Sequence, residues 1–419
     1  MPPLFGERPR FFLLLAAFCW IGAGYAQSSA ASTSSTVEQL QLITRIARLR
    51  LQLQAAAYRQ CNGLPLAAQQ KAAGIIAELL NRAEQRELQV LPKGRFDWSW
   101  SGFDQPDGMV GYADSLLQVL AAGRDPFEGK FAEPGGHVVD HALIEKDGKH
   151  HLFYIRGTAA TSWAEFPTNN FGHAISTNLK DWTIEEPVLQ APEKGWDNYQ
   201  VWAPYILRHK GKYFMFYAGV NNNVAQAIGL ATSDDLYHWE RYSDAPVITT
   251  GRWGIWDSGQ WSDCRDPMVL QDGDTFYCYY TAQRKDTVSG RIEPCVGISS
   301  STDLYHWKDE GFIRLEMSLD TPPESPFVVR HDGRYYLFYT SYRYGTVYAT
   351  SAHPVKGWRQ EAGEGSVVLP GVSASEVYQS KGQWYLSLIS HQRNGLHFFE
   401  IRRMSWDKAG RVRVEPLKK

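Results

Sequence analysis

The chain has 419 residues, 43% hydrophobic and 13% aromatic, with 15 Trp, a size that suits one large domain plus an accessory segment. Its formal net charge is −2 and no stretch concentrates basic residues, which argues against nucleic acid and anionic membranes as partners.

The first 26 residues read as an export signal. Arg8 and Arg10 precede an apolar run over 11–21, and small residues lead to Ala26, a cleavage point before Gln27. The run is too short to span a bilayer, and Phe18 before Cys19 argues against a lipid anchor. The mature chain is therefore expected to be secreted or periplasmic, with no membrane attachment after cleavage. Four cysteines would remain: Cys61, Cys264, Cys278 and Cys295. An oxidising compartment permits disulfides, and Cys278 with Cys295, on neighbouring strands, is the first pair expected. No CxxC spacing supports a zinc site.

Residues 27–92 read as a linker and a helical hairpin. Ser35 and Glu38 have capping-box spacing, and Leu40, Ile43, Ile46, Leu49 and Leu53 follow near helical period. Asn62-Gly63-Leu64-Pro65 breaks the pattern, and 67–88 resumes it.

Over 93–419 a hairpin recurs five times: a strand, a Gly turn such as Asp147-Gly148 or Lys210-Gly211, and an aromatic strand. The aromatic strands end in register at Tyr154, Tyr217, Tyr280, Tyr339 and Leu388. Each copy then runs through a further strand to a tryptophan: Trp182, Trp239, Trp307, Trp358 and Trp406. Several short strands per unit of about 50–60 residues predict an all-β, five-bladed β-propeller behind the signal and the helical hairpin.

Acidic residues open three of the copies: Asp140, Asp266 and Glu324. The second copy has Trp202 there, and the fifth carries Glu376 in a poorer match. The first strand of each blade lines the central channel, so these positions converge at one mouth. Carboxylates crowded in one concave site repel each other, an arrangement expected where chemistry uses them. Hydrolysis of a glycosidic bond needs an acid for the leaving oxygen and a carboxylate that activates water or attacks the sugar. A third carboxylate keeps the acid protonated. The expected partner is an oligo- or polysaccharide. A propeller that binds glycans without cleaving them is the reading of another class.

Asp140 in the first copy, Trp202-Ala203-Pro204 in the second, Asp266-Pro267 in the third and Glu324-Ser325-Pro326 in the fourth resemble glycoside hydrolase family 43. The resemblance spans about two thirds of the chain, from Val138 to Arg403. It implies inverting hydrolysis of arabinofuranosides or xylosides, with Asp140 as general base, Asp266 as modulator and Glu324 as general acid. Two positions depart from that family: His141 follows the base where Pro is usual, and Ser325 stands where Gly is usual. Arg265-Asp266-Pro267 also resembles the related family 32, which would imply a retaining β-fructofuranosidase. Candidate substrate contacts are Trp202, Arg265, Gln200, His141, Trp196 and Trp256. No cofactor is expected to be required, although His391 is a candidate for a structural calcium in the channel. Asp125, followed by Pro126, is the rival base.

Overall fold

The computed structural model describes residues 33–58, 64–88, 106–131, 136–158, 169–315, 321–360, 363–391 and 397–417. The signal segment and Cys61 lie outside them.

The first helices are α1 (Thr33–Tyr58) and α2 (Leu66–Glu87): α1 buries Ile46, Leu49 and Leu53 of the predicted stripe but leaves Leu40 exposed near its start, and α2 buries Leu79 and Leu80 against it. A third helix, α3 (Pro106–Ala121), completes a bundle by burying Val110, Leu116 and Leu117 against them. Gly108 and Gly111 lower its intrinsic helicity, so its burial rather than its propensity stabilises it. Phe127, after α3, meets Phe398 of the fifth blade at 5.0 Å and ties the bundle to the propeller. Asp125 caps this same turn, accepting a hydrogen bond from Phe127 N, on the outer edge of the ring. No described helix is long and apolar enough to cross a membrane.

Five antiparallel sheets follow. Blade one is β2 (Gly136–Lys146), β3 (Lys149–Thr158), β4 (Phe171–Ser176) and β5 (Thr183–Val188). Blade two is β6 (Gln200–His209), β7 (Lys212–Val220), β8 (Gln226–Ser233) and β9 (Glu240–Arg241). Blade three is β10 (Cys264–Asp272), β11 (Thr275–Lys285), β12 (Ile292–Ser301) and β13 (Lys308–Ile313). Blade four is β14 (Glu324–His331), β15 (Arg334–Ser341), β16 (Gly345–Ser351) and β17 (Val367–Leu369). Blade five is β18 (Val372–Ser380), β19 (Gln383–His391) and β20 (His397–Trp406), with β21 (Val412–Pro416) on part of its outer edge. The rest of that edge is taken by β1 (Lys130–Phe131), whose Phe131 pairs with Phe399, so a strand from before blade one closes the ring.

The recurrent tryptophans hold neighbouring blades together. Each lies edge-on against an aromatic of the preceding blade: Trp182 on Phe399, Trp239 on Phe153, Trp307 on Phe216, Trp358 on Tyr279 and Trp406 on Tyr336. Centroid distances run from 5.5 to 6.4 Å. Such contacts add about 0.5–1.5 kcal/mol each beyond the area they bury. Within blades one to three, Tyr154, Tyr217 and Tyr280 pack over Gly172, Gly229 and Gly297; a Cβ there would lie 2.2 to 2.5 Å from the ring.

The expected Cys278–Cys295 disulfide is not formed. Both are free, buried thiols, as is Cys264, because the register sets Ser299 beside Cys278 and Ala282 beside Cys295.

Trp307→Ala removes the wedge between blades two and three and the hydrogen bond from its indole to Leu304 O. It is expected to cost about 3 kcal/mol in denaturant unfolding, with Trp307→Phe costing less than half of that.

Candidate active site

The first strand of every blade carries a bulge at the channel mouth. In blades two to five the last paired residues before it are Trp202, Arg265, Glu324 and Ser373, and pairing resumes at Tyr205, Met268, Phe327 and Glu376. The first bulged residue takes a left-handed backbone: Ala203 (φ 45°), Asp266 (φ 56°), Ser325 (φ 50°) and Ala374 (φ 48°). In blade one the shift falls between Val139 and His141, so Asp140 is the bulged residue and His141 takes the place of proline. The acids therefore stand in two positions rather than one. Asp140 and Asp266 sit in the bulge itself, whereas Glu324 precedes it, level with Trp202 and Arg265.

This offset lets Ser325 join blades one, three and four. Its hydroxyl donates to Asp140 Oδ1 at 2.7 Å, and its backbone N–H donates to Asp266 Oδ2 at 2.9 Å. The Thr281 hydroxyl lies 3.1 Å from the same Asp266 oxygen. Arg265 is buried at the centre of the acids. It donates to Glu324 Oε1 at 2.7 Å, to Gln226 Oε1 at 3.0 Å and to Asp263, and its Nε lies 3.8 Å from Asp266 Oδ2. The second Glu324 oxygen accepts a 2.5 Å hydrogen bond from Tyr342, a rim residue 47% exposed. Trp261, also exposed at the rim, donates to Asp263. The bridging role of Ser325 was not legible in the sequence, nor were Thr281, Gln226, Asp263 and Tyr342 as site residues. Each comes from a different strand or turn, and only the Pro spacing after the bulge hinted at the geometry.

The other sequence candidates divide between the channel and its walls. Trp202 stands at the mouth, its indole bonded at 2.7 Å to Gln200 Oε1, so the buried Gln200 supports the ring. His141 is buried, with Nε2 2.7 Å from Ser387 Oγ and its ring edge-on to Phe399. Burial pushes its pKa down to about 3, so it is neutral. Trp196 stacks on Tyr217, and Trp256 donates to Gln226 O; both pack into blade walls. His391 ends β19 opposite His397, and its side chain lies outside the described residues. Among the described residues no group of three or more His, Cys, Asp or Glu side chains could hold a metal ion.

Burial, then the charge of Asp266, pushes the Asp140 carboxyl up to about 8, while the Ser325 hydrogen bond works against the rise. Burial also raises Asp266, to about 6, with Arg265 opposing and Glu324 adding to it. Burial disfavours charge on Arg265, but Asp263, Glu324 and Asp266 outweigh it and push its pKa up. Between the ordinary aspartate range and about pH 8 the folded chain holds a proton on Asp140 that the unfolded chain gives up, so stability falls as pH rises through that window. Asp140→Asn removes this loss. Its melting temperature is expected to exceed that of the unmodified chain at pH 8 and to match it near pH 4 in thermal scans.

Two family descriptions match the chain: the glycosyl hydrolases family 32 N-terminal domain over residues 140–321, and glycosyl hydrolases family 43 over residues 261–417. A xylosidase/arabinosidase of Bacteroides ovatus is 21% identical over 329 residues, covering 68% of this chain and 97% of that protein. An extracellular endo-alpha-(1->5)-L-arabinanase of Bacillus subtilis (strain 168) is 33% identical over 132 residues, which are 30% of this chain and 38% of that one. Among solved structures, an exo-1,5-alpha-L-arabinanase from a bovine ruminal metagenomic library has a TM-score of 0.51 at 22% identity, covering 67% of this chain and 98% of that one. Fructan 1-exohydrolase IIa from Cichorium intybus has a TM-score of 0.56 at 18% identity, covering 69% and 60%. At these identities the structural likeness speaks for the propeller fold, and the family matches speak for the chemistry. The chain is a glycoside hydrolase on a five-bladed β-propeller, resembling family 43 and related to family 32.

Proposed function

We propose that this hydrolase cleaves furanosides or xylosides of an oligo- or polysaccharide by single displacement with inversion. The observation that carries the reading is the junction at Ser325, which ties Asp140 to Asp266 while Arg265 ties Asp266 to Glu324. Glu324, as general acid, gives a proton to the leaving oxygen. Asp140, in the form ionised above its raised pKa, takes one from the attacking water. Asp266 stands beside the acid as the modulator, linked to it through Arg265. Arg265 orients Glu324 through one oxygen, and Tyr342 contacts the oxygen that faces the mouth. A leaving group would displace that tyrosine contact. Trp202, level with Arg265 and Glu324, offers an aromatic face to a sugar ring.

A secreted or periplasmic setting is part of the proposal. It rests on the signal pattern of residues 1–26 and on the Bacillus subtilis relative being named extracellular. One observation favours a second reading: the family 32 match starts at Asp140 itself. In a retaining β-fructofuranosidase Asp140 would attack the sugar instead of activating water.

Asp140→Asn and Glu324→Gln are each expected to lower turnover of an aryl arabinofuranoside or xyloside by a factor of about 10³ or more while melting stays cooperative. NMR of the first product anomer is expected to show inversion; net retention would point to the covalent route.

Ser325→Gly removes the donor to Asp140 and relaxes a left-handed backbone. It is expected to raise the acid limb of kcat/KM, because the ionised base loses a hydrogen bond, and to leave or improve thermal stability.

A further inference from the structure

Glu376 is a titratable channel residue that the reaction above does not use. The bulge register places it level with Tyr205, Met268 and Phe327 of blades two to four, one layer beneath the acids. In blade one the same level is held by Ala142, which pairs with Phe153 as Tyr205 pairs with Phe216. Tyr205 and Phe327 meet across this layer at 6.0 Å. The floor of the channel is thus apolar except in blade five.

The seam between blades five and one brings Glu376 to Asp140. Ser387, directly opposite Glu376 in the sheet, donates to Glu376 O at 3.3 Å and lies 2.7 Å from Nε2 of His141, the residue after Asp140. Glu376 is half-buried, and no hydrogen bond or ion pair among the described residues ends on its carboxyl. Asp140, in contrast, accepts from Ser325. The groups facing Glu376 are Asp140 and neutral His141 from β2 and Tyr205 from β6. From β15 and β16, uncharged Thr340 and Thr346 bond Ala374 and Ser375 instead. Two neighbouring carboxyls cannot both ionise cheaply in such surroundings, and the one with the donor ionises first.

We propose that Glu376 is a positioning residue for Asp140: it stays a neutral acid through the reaction, keeps the pair's single negative charge on Asp140, and donates its O–H to the water that Asp140 activates. Burial and the charge of Asp140 both push the Glu376 carboxyl well up, in line with this role. The proposal rests on Asp140 being the base.

The test uses the full mature chain and pH profiles of kcat/KM on an aryl glycoside. Glu376→Gln keeps an N–H donor but cannot ionise, and is expected to hold kcat within roughly threefold with the acid limb in place. Glu376→Ala is expected to move that limb up by about one unit. Loss of turnover in Glu376→Gln as deep as in Asp140→Asn would mean that Glu376 works ionised, which overturns the proposal. An unmoved limb in Glu376→Ala overturns it too, leaving a space-filling role. Infrared difference spectra at pH 9 give a readout that needs no activity: the carbonyl band of a protonated carboxyl is expected in the unmodified chain and absent in Glu376→Gln. Lack of that band overturns the proposal, whereas full turnover in Asp140→Asn sinks the base assignment on which it rests.

Discussion

Closure of the ring is the constraint on which everything else depends. Five sheets have no stable arrangement alone, since each exposes two aromatic faces. The edge-on contacts of Trp182, Trp239, Trp307, Trp358 and Trp406 let each blade cover the next. The circle is completed by β1 on β20, two residues of pairing made by the segment between α3 and blade one. Without it blades one and five would be free edges, and the seam that sets Asp140 beside Glu376 would have no fixed geometry.

At the mouth of that ring the bulges perform a second task. A regular first strand would bury alternate side chains against its neighbours and leave none aimed across the channel. Two residues opposite one turn the backbone, and at Asp266 and Ser325 they impose a left-handed conformation that a side chain other than glycine adopts at a cost. The strain is held because both residues are tied down, Asp266 by Ser325 N and Thr281, Ser325 by Asp140. The result is one guanidinium, Arg265, among Asp263, Asp266 and Glu324, with Asp140 and Glu376 beyond its hydrogen bonds. A hydrophobic cluster of the same volume would be more stable. The site keeps carboxyls that are reluctant to ionise, and hydrolysis of a glycosidic bond requires such groups.

Much of this was legible in the chain. The hairpin beat and the tryptophans gave the blades, because a sheet buried on both faces needs aromatic strands and a tight turn needs glycine. The three acids were legible because they break the repeat. Three features were not. Helix α3 has two glycines and depends on burial against α1 and α2. The Cys278–Cys295 pair failed because proximity of strands says nothing about register. The offset between Glu324 and Asp266 showed in the chain only as two residues to proline against one, and the bulge register alone gives that spacing its meaning.

The sequence by itself determined the repeat, its five units and which units differ, since these follow from local period and composition. It also determined that carboxyls would crowd one mouth, through the topology of any such ring. The tertiary structure alone decided which oxygen each donor serves, that Ser325 rather than a longer side chain bridges the blades, and that Glu376 lies beneath Asp140. Those outcomes depend on fractions of a residue in strand register and on contacts between segments far apart in the chain, and neither leaves a mark in local pattern.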